Sequence, residues 1–238
     1  MTSYERLYRF GITPWERSGR ATIAATRAHL DRELAERDGR PGRALDLGCG
    51  RGLFTPELAS RGWEAVGIDN VPSAVDAARR GAVHTDRRGT DDTARRGTDD
   101  TARRGTDDTA RRGTDDTAGR GARPGVTYVV GDVTDLATAG LGTFDLFLDI
   151  GCFQCLDRDQ RLAEGRGVTA LADPGATVLL LAFGPNRLRS VIGGVSRAEV
   201  EEAFVEWDLV SVEPADTTGL GWPMNRTSPC WYRFRLRD

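Results

Sequence analysis

The chain has 238 residues, 39% of them hydrophobic, and a formal net charge of −3, which is the size of one large domain. A balanced, slightly acidic charge gives no electrostatic reason to bind nucleic acid or an anionic membrane surface. All 33 basic residues are arginine, so mechanisms that need a lysine Schiff base or a P-loop lysine are excluded.

Metal-ligating and membrane-spanning patterns are also weak. The sequence holds only two histidines and four scattered cysteines, which argues against a histidine-rich metal site and against a disulfide framework. The longest apolar run, Val178–Phe183, is far shorter than the roughly 20 residues that span a bilayer. With no signal-peptide pattern at the start, we expect a soluble cytoplasmic protein without a metal or membrane partner. Its oligomeric state stays open.

One segment is a tandem repeat. Residues 87–118 read RRGTDDTA four times, and a period of eight fits neither a helix nor a strand. Because no face of such a segment becomes apolar, we predict a disordered polar insertion over 85–122, within a single domain spanning 1–238. A cation site built from its aspartates and a partner-binding role are the less favoured alternatives.

The remaining residues predict alternating helices and strands. In chain order these are helix 20–38, strand 43–47, helix 54–60, strand 64–69, helix 72–80, strands 126–131 and 144–150, helix 157–171, strand 177–183, helix 196–204, and strands 207–212 and 231–236. The alternation indicates a Rossmann-like α/β fold, a doubly wound and mostly parallel sheet with helices on both faces. The last two strands have no helix between them, which indicates one antiparallel strand.

The turn after the first strand carries the strongest motif. It reads Asp46-Leu47-Gly48-Cys49-Gly50-Arg51-Gly52, and a glycine turn between a strand and a helix lets a cofactor approach the backbone. A dinucleotide fingerprint would need Gly or Ala where Leu53 stands. An NAD(P)-dependent oxidoreductase is therefore an alternative that the spacing opposes.

This turn resembles the first motif of the class I S-adenosylmethionine-dependent methyltransferases, and the resemblance extends over most of the chain outside the repeat. It implies seven strands in the order 3-2-1-4-5-7-6, with the seventh antiparallel, and S-adenosylmethionine as the cofactor. By this resemblance Asp69 binds the ribose hydroxyls and Asp132 accepts from the adenine amino group. The full set of implied cofactor-binding residues is Asp46, Gly48, Cys49, Gly50, Asp69, Asn70, Asp132, Val133 and Asp149.

The methyl acceptor is expected to be a small molecule. The fourth motif, Asp149–Cys152, differs from the Asp/Asn-Pro-Pro-Tyr type of adenine-amino methyltransferases. Segments around Trp15 and at Trp231–Arg233 resemble the branch that includes thiopurine and heterocyclic-toxin methyltransferases, and residues 4–15 and 219–230 are candidate covers of the pocket. We predict a pocket at Trp15, Gly151, Cys152 and Gln154.

Methyl transfer is an in-line displacement that proximity accelerates. Asp149 is the candidate catalytic residue, as a general base for acceptors that need one. The acceptor atom, S, O or N, stays open. A noncatalytic S-adenosylmethionine-binding protein is a further alternative. We expect the cysteines of Cys152–Cys155 to be small buried side chains rather than a redox or zinc site, and His29 to lie at the solvated surface.

Overall fold

Seven strands form one sheet in the order 3-2-1-4-5-7-6. The computed structural model describes residues 14–81, 125–186 and 193–237 except 219, 221 and 223, without the side chains of 14–21 and 224. The first five strands run parallel, and β7 pairs antiparallel with both β5 and β6. The predicted fold is therefore confirmed. The strands are β1 (Arg43–Leu47), β2 (Glu64–Asp69), β3 (Val126–Val130), β4 (Phe144–Ile150), β5 (Ala172–Ala182), β6 (Trp207–Pro214) and β7 (Cys230–Leu236).

Helices cover both faces of the sheet. Within the described residues they are α1 (Pro14–Glu36), α2 (Thr55–Ala59), α3 (72–81), α4 (Arg158–Ala170) and α5 (Arg197–Ala203), with short 3-10 turns at Val133–Thr138, Phe153–Cys155 and Met224–Arg226. No helix in this part of the chain combines the length and apolar character needed to cross a membrane. The predicted insertion at 85–122, including its repeat, lies outside the described residues, as do His84 and the side chain of Trp15.

The core divides into two layers because side chains alternate along each strand. Leu47 packs in one cluster with Phe204, which follows α5. Leu148 packs in the other with Leu30 of α1 and Leu58 of α2. The central strands are buried on both faces, which explains their nearly continuous apolar sequences.

Strand β5 begins at Ala172, five residues before the predicted start at Thr177. The Asp173-Pro174-Gly175 sequence is typical of a turn, and Gly175 does have a positive φ of 72°. The segment nevertheless stays in the sheet, because Ala172 pairs with Phe144 and Thr177 pairs with Leu146 across a bulge. Pairing with β4 thus overrides the local turn signal.

The prediction for His29 is wrong in part. Its ring is partly buried and lies 4.4 Å, between centroids, from the indole of Trp231 on β7. Burial lowers the pKa of His29, and the charge of Glu213 opposes this shift. The side chain therefore helps to pack α1 onto the sheet.

A buried ion pair fastens α1 to β7. The inaccessible carboxylate of Glu33 accepts hydrogen bonds from Nη2 of Arg233 at 2.7 Å and from the hydroxyl of Thr177 at 2.7 Å. Burial alone would raise the pKa of Glu33, but the Thr177 hydrogen bond and the charge of Arg233 lower it overall. Arg233 also pairs with the more exposed Glu36. Removing Glu33 would leave Arg233 with only that carboxylate and would leave the hydroxyl of Thr177 without its acceptor.

We therefore expect Glu33→Ala to reduce the free energy of unfolding by about 1–3 kcal/mol at neutral pH. The lowered pKa means that the wild-type advantage exists at neutral pH and disappears as the pH falls through that pKa. Urea unfolding at several pH values measures both effects. Glu202→Ala, at a solvent-exposed pair with Arg158, is the matched control and should change stability little. Equal losses in the two variants would contradict the argument.

Candidate functional site

The parallel strands bring the predicted acidic residues to one edge of the sheet. Leu47 pairs with Asp149, and Asp69 pairs with Val130, so β1 to β4 end side by side. Asp46, Asp69, Asp132 and Asp149 therefore lie along the carboxyl edge, where the strand order reverses between β1 and β4. In open α/β sheets this is the position of the ligand crevice.

The glycine turn is closely packed against its surroundings. Gly48, Gly50 and Gly52 all have positive φ, at 64°, 54° and 74°, which disfavours other residues. A Cβ at Gly48 would lie 2.6 Å from Cβ of Cys152, and one at Gly52 would lie 2.3 Å from the hydroxyl oxygen of Tyr128. Both conformation and space therefore require glycine at these two positions, so the backbone of the turn has no side chain there.

Asp69 connects the end of β2 to the glycine turn. Its Oδ2 accepts from the amide of Gly50 at 2.9 Å, and its Oδ1 accepts from the amide of Val71 at 2.8 Å. Burial raises the pKa of Asp69, while these two amides oppose the shift. The carboxylate is partly accessible, and each oxygen has a second lone pair. It can therefore accept from two neighbouring hydroxyls of a ligand. Asn70 lies exposed beside it.

Asp46 lies behind the turn rather than at its surface. It is almost fully buried, and its Oδ2 accepts from the hydroxyl of Thr55 at 2.6 Å. Burial raises the pKa of Asp46 to about 7, and the charges of Asp149 and Asp69 add to this effect. Its side chain is placed to brace the turn from within the protein.

Cys49 also packs inward. Its thiol is buried, burial raises its pKa, and its backbone amide donates to the carbonyl of Ile68 at 3.0 Å. The thiol fills the space that a side chain at Gly67 would need. Cys49 thus fixes the glycine turn to β2 through both its backbone and its side chain.

Asp132 and Val133 follow β3. Oδ1 of Asp132 accepts from the amide and the hydroxyl of Thr134, at 2.9 and 2.8 Å, and so caps the 3-10 turn at Val133–Thr138. Asp132 is exposed, whereas Val133 is buried in the core. The cap orients the backbone of this segment at the edge of the crevice.

The fourth strand ends in a tight turn. The buried carboxylate of Asp149 accepts from the amides of Cys152 at 2.9 Å and Phe153 at 3.0 Å. Gly151 has a positive φ of 86°, and among the described residues only Gln154 would lie within 4 Å of a Cβ at this position. Gln154 is buried and accepts from the amide of Phe183 through its side-chain oxygen. The oxygens of Asp149 and Gln154 are thus directed at protein amides.

Three residues near the site lie in no recognisable motif and were not identified from the sequence. Thr55 and Tyr128 support the turn next to Asp46, and the fully buried Glu164 of α4 lies near Asp149. Thr55 has an ordinary position at the start of a short helix, and Tyr128 is one apolar-strand residue among several. Gly165 offers the one local signal for Glu164, because a Cβ there would lie 2.0 Å from the carbonyl oxygen of Ala203. A glycine within a helix marks a face that packs closely.

Comparison with known proteins identifies the family. Residues 20–158 match the model described as a methyltransferase domain, which is more than half of the chain. The chain belongs to the methyltransferase family. Together with the strand order, the match confirms the resemblance to class I S-adenosylmethionine-dependent methyltransferases, whose cofactor is S-adenosylmethionine.

Curated relatives cover part of the chain. A 2-heptyl-1-hydroxyquinolin-4(1H)-one methyltransferase of Mycobacteroides abscessus is 26% identical over 180 residues, which are 73% of this chain and 62% of that protein. A ribosomal RNA small subunit methyltransferase C of Alcanivorax borkumensis is 45% identical over 40 residues, 17% of this chain and 12% of that protein. The chain therefore spans less than two thirds of either relative.

Solved structures share the fold. A TehB-like SAM-dependent methyltransferase from Corynebacterium glutamicum has a TM-score of 0.58 at 18% identity, covering 94% of this chain and 96% of that chain. The N-methyltransferase NodS from Bradyrhizobium japonicum, solved with S-adenosyl-L-homocysteine, has a TM-score of 0.58 at 17% identity, covering 90% and 87%. Identities this low support the fold alone.

The raised pKa of Asp46 predicts a specific pH dependence. The folded state holds this proton more tightly than the unfolded chain, so ionisation of Asp46 lowers stability as the pH rises from about 4 to about 7. We expect Asp46→Asn to gain stability relative to wild type over that interval, by about 1 kcal/mol or more. Urea unfolding at pH 5 and pH 8 measures the difference. Asp38→Asn, at an exposed pair with Arg40, is the control, and a pH-independent difference for Asp46→Asn would refute the prediction.

Proposed function

We propose that this protein transfers a methyl group from S-adenosylmethionine to a small-molecule acceptor. The observation that carries the proposal is the arrangement of the glycine turn and Asp69 at the carboxyl edge of the sheet. There Gly48 is half-buried and has no side chain, and the carboxylate of Asp69 is fixed by the amides of Gly50 and Val71. When bound, the cofactor supplies an electrophilic methyl carbon next to a sulfonium.

The residues around the crevice suit the cofactor. Asp69 is the candidate for the ribose hydroxyls, because its two oxygens are spread toward neighbouring donors and remain partly accessible. The segment at Asn70, Asp132 and Val133 would border the adenine. Gly48 and Gly50 would let the amino-acid end of the cofactor approach the backbone, with Asp46 and Cys49 supporting the turn from behind.

The acceptor would lie over the turn that follows β4. Gly151 and Cys152 border the cofactor turn, since Cys152 lies against Gly48. Gln154 would shape this side by tying the turn to the end of β5. Trp15 remains a predicted cover of the pocket on sequence grounds.

Alignment of the acceptor with the methyl carbon would supply most of the acceleration. Asp149 is buried with its oxygens occupied by two amides, which suits a positioning role better than that of a general base. This favours acceptors that ionise near neutral pH without a protein base, such as thiols and acidic hydroxyls on planar rings. The relative that methylates a hydroxyquinolinone supports the same substrate class.

A ribosomal RNA acceptor is less favoured. The relevant relative matches only 17% of the chain, and the net charge of −3 offers no attraction to phosphates. The small-molecule acceptor is therefore the stronger proposal.

Cofactor binding tests the first half of the proposal. S-adenosylhomocysteine at 100 times its dissociation constant should stabilise the wild type by about 2.7 kcal/mol, and Asp69→Ala should remove most of this gain. Thermal unfolding with and without the ligand measures it, with Asp76→Ala as the control at an exposed aspartate of α3. Stabilisation by NAD, with no response to S-adenosylhomocysteine, would favour the oxidoreductase alternative.

An acceptor panel tests the second half. With labelled S-adenosylmethionine, we expect label transfer to at least one aromatic thiol, phenol or N-hydroxy heterocycle. Asp149→Asn should reduce this transfer less than Asp69→Ala reduces cofactor affinity, because the asparagine side chain keeps one oxygen that can accept from the amides of the turn and no general base is lost. Cofactor binding without transfer to any member would support the noncatalytic alternative, and transfer to ribosomal RNA instead would refute the small-molecule proposal.

A further inference from the structure

Two buried carboxyl groups meet behind the turn that follows β4. Asp149 is the penultimate residue of that strand, Glu164 lies in the middle of α4, and both are almost completely inaccessible. One carboxylate oxygen of each and the sulfur of Cys152 lie within 4.8 Å of one another. Isolated buried carboxylates are costly, so this pair needs a compensating arrangement.

The two groups are compensated unequally. Asp149 accepts from two backbone amides, at 2.9 and 3.0 Å. Among the residues that the structure describes, neither oxygen of Glu164 has a hydrogen-bond donor. If both groups were ionised, Glu164 would be an acceptor facing another acceptor. A proton on Glu164 converts the same contact into a hydrogen bond to Asp149.

The surrounding charges favour that proton. Burial raises the pKa of Glu164 well above its ordinary value, and the charges of Asp149 and Asp132 raise it further. The charges of Asp46 and Asp149 also act on each other, although the register of β1 and β4 places the two side chains on opposite faces of the sheet. Cys152, the other titratable group beside the pair, is half-buried, and burial raises the pKa of its thiol. Burial also raises the pKa of Asp149, to about 7, but the amides of Cys152 and Phe153 oppose this shift. Glu164 has no such donors among the described residues, so the proton belongs on Glu164 rather than on Asp149.

Helix α4 holds Glu164 at this position. The helix begins with a reciprocal cap between Asp157 and Gln160. Gly165 packs against the carbonyl of Ala203, and Gly167 packs against Leu136. Close packing on two sides leaves the helix little freedom to move away from Asp149.

We propose that Glu164 is a positioning residue for the acceptor side of the site. As a neutral acid it donates a hydrogen bond to Asp149, which keeps the Asp149 carboxylate aimed at the amides of Cys152 and Phe153. The turn at 151–154 thereby keeps the shape against which the acceptor is aligned. The link to the acceptor rests on the proposed function, whereas the effect on the turn does not.

The first test is spectroscopic. The infrared difference spectrum between wild type and Glu164→Gln at neutral pH should contain the C=O stretch of a buried carboxylic acid in the wild type only. Absence of that band would overturn the proposal. If elemental analysis also found a stoichiometric metal, the group of Asp149, Cys152 and Glu164 would instead be a metal site.

The second test is amide hydrogen exchange measured by NMR. Glu164→Leu removes the donor while filling the space, and we expect the amides of Cys152 and Phe153 to exchange at least about tenfold faster, as for loss of a hydrogen bond to a charged group. Glu164→Gln keeps a neutral donor and should restore slow exchange. Unchanged exchange in Glu164→Leu, or equal acceleration in both variants, would overturn the proposal.

Two controls separate positioning from general loss of stability. Val168→Ala lowers packing on the same helix, at a fully buried residue, and should not accelerate exchange at Cys152 selectively. The amide of Gln160, bonded to Asp157 at 2.9 Å, reports whether α4 itself has loosened. If Glu164→Leu does not fold, the infrared spectrum and the exchange of Glu164→Gln still decide the question.

Activity links the turn to the acceptor. With the acceptor that the panel identifies, Glu164→Leu should raise KM or lower kcat at least fivefold, while its dissociation constant for S-adenosylhomocysteine changes less than about twofold. Glu164→Gln should restore the kinetics. Weakened binding of S-adenosylhomocysteine would contradict an acceptor-side role. Absence of any acceptor would count against the proposed function, while exchange and infrared spectra would still test the turn.

Discussion

Poorly accessible carboxylates determine the shape of the carboxyl edge of the sheet. Burial makes their negative charge unfavourable, so each of them needs hydrogen-bond donors nearby. Asp46, Asp69 and Asp149 stand at the ends of neighbouring strands, and each accepts from the protein itself. A buried carboxylate must be hydrogen-bonded to be tolerated. The segments that follow these strands therefore donate hydrogen bonds to the carboxylates, and these hydrogen bonds define the shape of the edge.

This constraint separates supporting acids from accessible ones. Asp46 and Asp149 are buried and hold loops, whereas Asp69 remains partly accessible and can do both. Similar positions at strand ends thus lead to different roles, because depth in the structure decides whether an oxygen can reach a ligand. In our proposal, Asp69 contacts the cofactor while Asp149 and Glu164 act through the turn that they fix.

The rest of the fold keeps this edge rigid. The buried Glu33–Arg233 pair joins α1 to β7, and the close contacts at Gly165 and Gly167 join α4 to its neighbours. These interactions lie away from the carboxyl edge, yet they fix the positions of the helices on the sheet. The position of α4 in turn fixes the position of Glu164. A site aligned for in-line displacement depends on such support, because small misplacements reduce the benefit of proximity.

The sequence alone determined the strand order through resemblance, the glycine turn, and the acids at the strand ends. These features are local, because the spacing of residues, the conformation of the turn and the alternation of elements depend on residues that are close in sequence. The tertiary structure decided what the local pattern could not contain. It showed that β5 extends through a turn-like sequence, that His29 packs on Trp231, and that the hydroxyl of Thr55 donates a hydrogen bond to Asp46. It also placed Glu164 beside Asp149, a contact between residues 15 positions apart that only the docking of α4 onto the sheet creates.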